Sequence, residues 1–127
     1  LSLDKYIEDV EKFDEMFGVE HITDSTVANM GFHAVALAGE AGELCNLVKK
    51  IWRDGENPER LKELDEEIVD VVIYLIELIR TIDMDFDEAW DKKQKELIER
   101  WNKGKNDEDN YTIGYRAENG DLELNRE

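Results

Sequence analysis

The sequence predicts an all-α fold, a bundle of about four to five helices followed by a small C-terminal β-hairpin. Three observations predict it. Apolar residues recur at helical spacing over long stretches. The chain holds a single proline, Pro58, so little interrupts those stretches. After a polar run from Lys103 to Asn110, the pattern changes to strand-like alternation. The expected organisation is a helical domain over residues 1–105, with a polar linker and hairpin over 106–127.

The first helix is expected over residues 3–17, where Leu3, Tyr6, Ile7, Val10, Phe13 and Phe17 share one stripe. Gly18 is placed to end it in a left-handed cap. Residues 19–24 read as a connection. Asp24 or Ser25 can cap a second helix, which runs through the apolar stretch Ala34–Ala38 to about Trp52. Gly39 and Gly42 are poor helix formers, and beside carboxylates they are expected to allow close backbone approach. Arg53-Asp54-Gly55-Glu56-Asn57-Pro58 is a break. A third helix follows from near Glu59 to near Thr81, then a turn at Asp83-Met84-Asp85 and a fourth helix from about Phe86 to Asn102. The tail offers Tyr111–Arg116, an Asn119-Gly120 turn, and Leu122 and Leu124 at strand spacing, which together predict the hairpin.

Composition narrows the function classes. The 127 residues carry 33 acidic and 16 basic side chains, a formal net charge of -17. Such a field repels nucleic-acid backbones, so a nucleic-acid binder is not expected. A single nucleotide held through a metal remains compatible, because a cation inverts the local field. The hydrophobic share of 41% is too high for a wholly disordered acidic chain. The lone Cys45 permits no intrachain disulfide and reads as a small core side chain. The apolar run Val71–Ile76 is far too short to cross a membrane, and no signal-peptide pattern is present. The expectation is a cytoplasmic protein with no membrane partner.

Two short acidic motifs carry the chemistry. Glu40-Ala41-Gly42-Glu43 lies on the second helix, and Glu66-Glu67-Ile68-Val69-Asp70 on the third. Residues three apart share a helix face, so Glu40 pairs with Glu43 and Glu67 with Asp70. Four converging carboxylates would form a hard, oxygen-rich site suited to magnesium, with manganese as an alternative. The third helix is apolar around most of its circumference, from Ile68 to Ile79, and such a helix is expected to be buried on several sides. Within it, Glu63, Glu67, Asp70, Tyr74 and Glu77 form one narrow polar stripe. That stripe either faces solvent or lines a metal-filled cleft, and the companion pair on the second helix favours the cleft. His33 precedes Glu40 by two helical turns, about 10 Å, too far to share an ion with it. A hydrogen-bonded structural histidine and a base- or sugar-contacting one are both open, with the contact role preferred to metal ligation.

On the fourth helix, Lys93 falls inside the apolar stripe of Phe86, Ala89, Trp90, Leu97 and Trp101, and Arg100 lies two turns further on. They either snorkel to water or form a cationic pair for phosphate oxygens. Other sites fail on the residues. Asp83-x-Asp85-x-Asp87 opens like a calcium loop, but Glu88 replaces the required glycine and Gln94 the bidentate glutamate. There is no Glu-x-x-His pair, P-loop, Gly-rich dinucleotide loop or Cys/His zinc spacing. Cys45 has no histidine base near it in sequence, and nothing in the pattern around Ser25 marks it as a nucleophile.

Leu37-Ala38-Gly39-Glu40-Ala41-Gly42-Glu43-Leu44, followed by Asp65-Glu66-Glu67-Ile68-Val69-Asp70-Val71-Val72-Ile73-Tyr74, resembles the MazG-like family. These are all-α nucleoside triphosphate pyrophosphohydrolases, whose superfamily includes dimeric dUTPases and dCTP pyrophosphatases. The match spans roughly residues 25–102 by pattern. The resemblance implies a MazG-like helical bundle that forms a homodimer or homotetramer. It implies Mg²⁺ held by Glu40, Glu43, Glu67 and Asp70, and cleavage of a nucleoside triphosphate to its monophosphate and pyrophosphate. Tyr74 is similar to a tyrosine of the dCTP pyrophosphatase branch, and Trp52 to an aromatic that stacks on the base there. Lys93 and Arg100 stand where the family carries phosphate-binding cations. The chain departs from many relatives in lacking an asparagine between those two, and the hairpin tail lies outside the family's core pattern.

Chemistry then orders the roles. A magnesium ion neutralises the triphosphate, and a carboxylate orients or deprotonates water. Clustered carboxylates titrate together, so one can act as a base of raised pKa. Glu66, Glu40 and Glu43 are the candidates. The alternatives are a phosphoribosyl-ATP pyrophosphohydrolase-like enzyme, and a nucleotide-sensing or helix-mediated interaction module without turnover.

Overall fold

The structure is a computed structural model, and it describes residues 3–18 and 24–104. Among them it is all-helical: α1 (Asp4–Phe17), α2 (Thr26–Asp54), α3 (Pro58–Thr81) and α4 (Phe86–Gly104). The expected hairpin, with the 106–127 segment, lies outside the described residues. No helix of the described residues is long and apolar enough to cross a membrane. The chain divides into two compact units, one up to Met84 and one from Asp85 onward.

Local chemistry sets each boundary. Gly18 closes α1 at φ 67°, its N–H donating to the carbonyls of Asp14 and Glu15. Only glycine adopts that conformation without strain. Of the two candidate caps for α2, Ser25 is used: its hydroxyl accepts the Ala28 N–H at 3.2 Å. The helix continues to Asp54, two residues past the expected end. Asn57 caps α3 by accepting the Arg60 N–H at 2.9 Å, with Pro58 in the first turn, where its missing N–H costs nothing. Asp85 does the same for α4, accepting the Glu88 N–H at 3.0 Å.

In the first unit, α2 and α3 pack antiparallel and α1 packs on α3. The α2–α3 turn is clamped by Arg60, which reaches the carbonyls of Lys50 and Gly55 and the Asp54 carboxylate. Arg53 also grips Asp54 through two 2.7 Å hydrogen bonds. That bidentate contact, reinforced by Arg60, holds the Asp54 carboxyl down to about 2. In the second unit, α4 stacks Phe86 and Trp90 at 5.9 Å between ring centroids.

Burial runs against the sequence pattern. Val10, Leu47, Ile76 and Ile79 are the buried apolar side chains of the first unit among the described residues. With them lie three polar ones, Asp14, His33 and Glu77, at 4%, 9% and 8% exposure. Phe13 and Phe17 of the α1 stripe are exposed, as are Ile68, Val69, Val72 and Leu75 of α3. The expectation that α3 is buried on several sides is not met within the single chain. Its polar stripe turns inward through Asp70, Tyr74 and Glu77, and much of its apolar surface turns outward. Cys45, expected in the core, is exposed as well.

Candidate functional site

One cleft of about 850 Å³ lies among α1, α2 and α3. Tyr6, Val10, Phe13, Phe32, Ile73 and Tyr74 supply its apolar and aromatic walls. Exposed Asp9 apart, its charged and imidazole groups fall at two levels. Glu40 and Asp70 are half-buried at one, while His33, Asp14 and Glu77 are buried at the other. The helices explain the layout. His33 is seven residues from Glu40 on α2, and Glu77 is seven from Asp70 on α3. Two turns separate each pair by about 10.5 Å.

The acidic level gathers three of the four motif carboxylates. Oxygens of Glu40, Glu67 and Asp70 lie within 4.8 Å of one another. Glu43 is exposed and outside that group, but it shares a hydrogen bond with Glu40. Glu66 is exposed beside them. Partial desolvation raises the Glu40 carboxyl above its ordinary range, and repulsion from Glu43 and Asp70 adds to it. Glu67 is raised the same way, by desolvation first and then by Glu43 and Asp70. Its Oε2 is buried without a hydrogen-bond partner. Mutual repulsion and an unmet oxygen are what a hard cation would relieve. Acidic clusters are nonetheless common on exposed surfaces without an ion.

The buried level is a network over three helices. Arg80 of α3 donates to Asp14 of α1 at 2.5 Å and lies 3.9 Å from Glu77. His33 Nε2 is 3.6 Å from Glu77 Oε2. That contact is not an ion pair at neutral pH. Burial lowers the His33 pKa, while burial, followed by a hydrogen bond with Asp14, pushes Glu77 up to about 8. Aromatic rings complete the surroundings: Phe32 meets His33 edge-on at 5.5 Å, and Tyr74 lies 6.4 Å from it.

Glu40, Glu67, Asp70, Tyr74 and His33 are thus brought to one cleft or its edge. Trp52 is not among the cleft-lining residues and is 88% exposed near the end of α2. Lys93 and Arg100 are both exposed on α4, in the second unit. The glycines do not act as expected within the chain, since a Cβ at Gly39 or Gly42 would meet nothing within 4 Å. Sequence reasoning missed Asp14 and Arg80 and gave Glu77 no role beyond its stripe. A signal for Asp14 was present: it follows Val10 by four residues and precedes Phe17 by three, which places a charge on the apolar face of α1.

No protein-family model matches the chain, and no solved structure does. Among curated proteins it is similar to the Gene 37 protein of Mycobacterium phage L5, 29% identical over 82 residues. The similarity covers 62% of this chain and 72% of that protein. The likeness carries no activity with it. Over the described residues, the fold and the cleft define a helical protein with a carboxylate cluster at one level of a cleft with apolar walls.

Proposed function

We propose that this chain is a magnesium-dependent nucleoside triphosphate pyrophosphohydrolase of the MazG-like kind. It would cleave an NTP or dNTP to the monophosphate and pyrophosphate, in house-cleaning or control of the cytoplasmic nucleotide pool. The observation that carries the reading is the convergence of Glu40, Glu67 and Asp70 within 4.8 Å, two of them, Glu40 and Asp70, lining a cleft with aromatic walls. An acidic surface patch has no reason to open onto such walls. A ligand with a polyanionic end and a flat ring does.

The donor set fits magnesium: carboxylate oxygens only, half-buried, and including the unpartnered Oε2 of Glu67. Glu40, Glu67 and Asp70 would hold the ion, with Glu43 beside them; manganese suits the same oxygens. When bound, the metal neutralises the phosphates and polarises the attacked phosphorus. The protein's own part is to place and deprotonate water. A carboxylate outside the metal's own ligands is the better base, because a bound cation lowers the pKa of the groups that hold it. Glu66 and Glu43 stand close enough in sequence to serve. Water's oxygen joins the α- or the β-phosphorus, its proton passes to the carboxylate, and the P–O bond bridging the two breaks with its electron pair on the departing pyrophosphate or nucleoside monophosphate respectively. Tyr74 and His33, which line the cleft, are assigned to the base in this reading. The exposed apolar faces of α1 and α3 support a homodimer or homotetramer.

The test is pyrophosphate release across ribo- and deoxynucleoside triphosphates, including oxidised and methylated forms. Release should require Mg²⁺ and stop on chelation. Glu40→Gln and Asp70→Asn should each lose about a hundredfold in rate, the upper range seen even for outer partners of metal sites. Full activity in both variants would overturn the site, and no release from any nucleotide would overturn the function.

A further inference from the structure

We propose that α1 is a lid on the cleft, latched by one proton held between Glu77 and Asp14, and that loss of this proton raises the population in which the lid stands open. The inference goes beyond the pyrophosphohydrolase reading and holds whatever ligand the cleft takes. It starts from what α1 buries. Of its 14 residues, Val10 and Asp14 are the buried ones. Tyr6, Phe13, Met16 and Phe17 are all more than half exposed. Yet Tyr6, Asp9, Val10, Phe13 and Asp14 form one wall of the cleft. A wall that buries one apolar side chain and one carboxylate has little apolar burial to hold it in place. Segments of that kind open locally while the rest of a fold stays closed. The attachment of α1 therefore depends on the polar contacts of Asp14.

Those contacts are made to α3. Asp14 is 4% exposed, accepts from Arg80 at 2.5 Å, and shares a hydrogen bond with Glu77. The groups facing Glu77 are Asp14 from α1, His33 from α2 and Arg80 from its own helix. With Glu77 protonated, the charges balance: one carboxylate, one guanidinium, and a neutral acid donating to Asp14. With Glu77 ionised, two buried carboxylates share one guanidinium, which sits at 2.5 Å from Asp14 but 3.9 Å from Glu77. The hydrogen bond from Glu77 to Asp14 is then replaced by repulsion. A buried carboxylate without its own partner is strongly disfavoured.

His33 does not restore the balance. Burial lowers its pKa, so it is neutral when Glu77 ionises. Undocking α1 gives relief in two ways, since it takes Asp14 away from Glu77 and lets water reach both. Helices α2 and α3 pack on each other and have no such exit. Burial and the bond to Asp14 push the Glu77 carboxyl up to about 8, which sets the transition in the mildly alkaline range. Glu40 and Glu67 are raised as well, but the charges that raise them lie on α2 and α3, so their ionisation does not bear on α1.

Hydrogen–deuterium exchange on the full chain, without divalent ions, reads the lid once rates are corrected for the intrinsic effect of pH. From about pH 6.5 to about pH 9, protection of the amides of residues 8–17 should fall by about tenfold, the equivalent of one pKa unit between docked and free states. Amides around Leu47 of α2 and Ile76 of α3 should lose less. Glu77→Gln keeps an N–H donor for Asp14 and cannot ionise, so α1 protection should stay high and flat across the same range. Asp14→Asn removes the anion that ionised Glu77 would face. In that variant α1 should exchange faster at about pH 6.5, and the step should shrink. No step in the wild type, or an equal loss in all three helices, would overturn the lid. A step of wild-type size in Glu77→Gln or in Asp14→Asn would overturn the proton latch.

Discussion

Glu77 lies between Asp14 of α1 and His33 of α2, and its carboxyl is pushed from an ordinary 4.5 up to about 8. An acid raised on folding binds more protons in the folded chain than in the unfolded one. Its contribution to stability is therefore full below 4.5 and is lost as pH rises through about 8. His33 works in the opposite sense, because its pKa is lowered from 6.5 by burial, so its effect is confined to pH below about 6.5. Above about 6.5 the fall in stability comes from raised carboxyls, Glu77 titrating up to about 8, with Glu40 and Glu67 acting in the same sense. In the absence of divalent ions, the melting temperature should fall by several degrees over that window. Glu77→Gln should flatten the fall, and an equal slope in the variant would refute the assignment. The carboxylate cluster was legible in sequence because spacings of three on a helix dictate a shared face. The Asp14–Arg80 contact was not, because its partners lie 66 residues apart and only tertiary packing joins them.

The starts of α2 and α3 each rest on one side-chain cap. Asn57 accepts the Arg60 N–H at the start of α3, and Arg60 in turn ties α3 back to the end of α2. Asn57→Ala should cost about 1 kcal/mol in urea unfolding, without altering the helical circular dichroism signal of the folded state. A cost near zero would show that Pro58 alone sets the start. These ends were readable because caps and breakers act locally: Gly18, Ser25 and Pro58 each stand within a residue of a boundary. What escaped the pattern was the direction in which α1 and α3 face. Apolar periodicity identifies a stripe and assigns it to the interior. Here Asp14 and Glu77 take the interior, and Phe13, Phe17 and Leu75 are left outside. Charge on the apolar side of a helix is the warning that periodicity alone ignores.

At the scale of the whole molecule, the exposed apolar faces are what the proposed homodimer or homotetramer would cover. Ile68 and Leu75, seven residues apart on α3, are 45% and 43% exposed. Covering them with a second copy removes apolar surface worth roughly 25 cal/mol per Å² from water. Ultracentrifugation should find a homodimer or homotetramer at micromolar concentration. Ile68→Lys combined with Leu75→Lys should reduce the mass and lower the melting temperature. A monomeric wild type would remove this account of the exposed face. Under the proposed assembly, the same face bears on how a newly made chain would behave before pairing. Two greasy patches that touch in a wrong orientation would ordinarily stick. A formal charge of -17 gives every such encounter a repulsive barrier. In colloidal terms, the carboxylates protect the unpaired protomer from precipitation, and rising salt lowers that barrier to both correct pairing and misassociation.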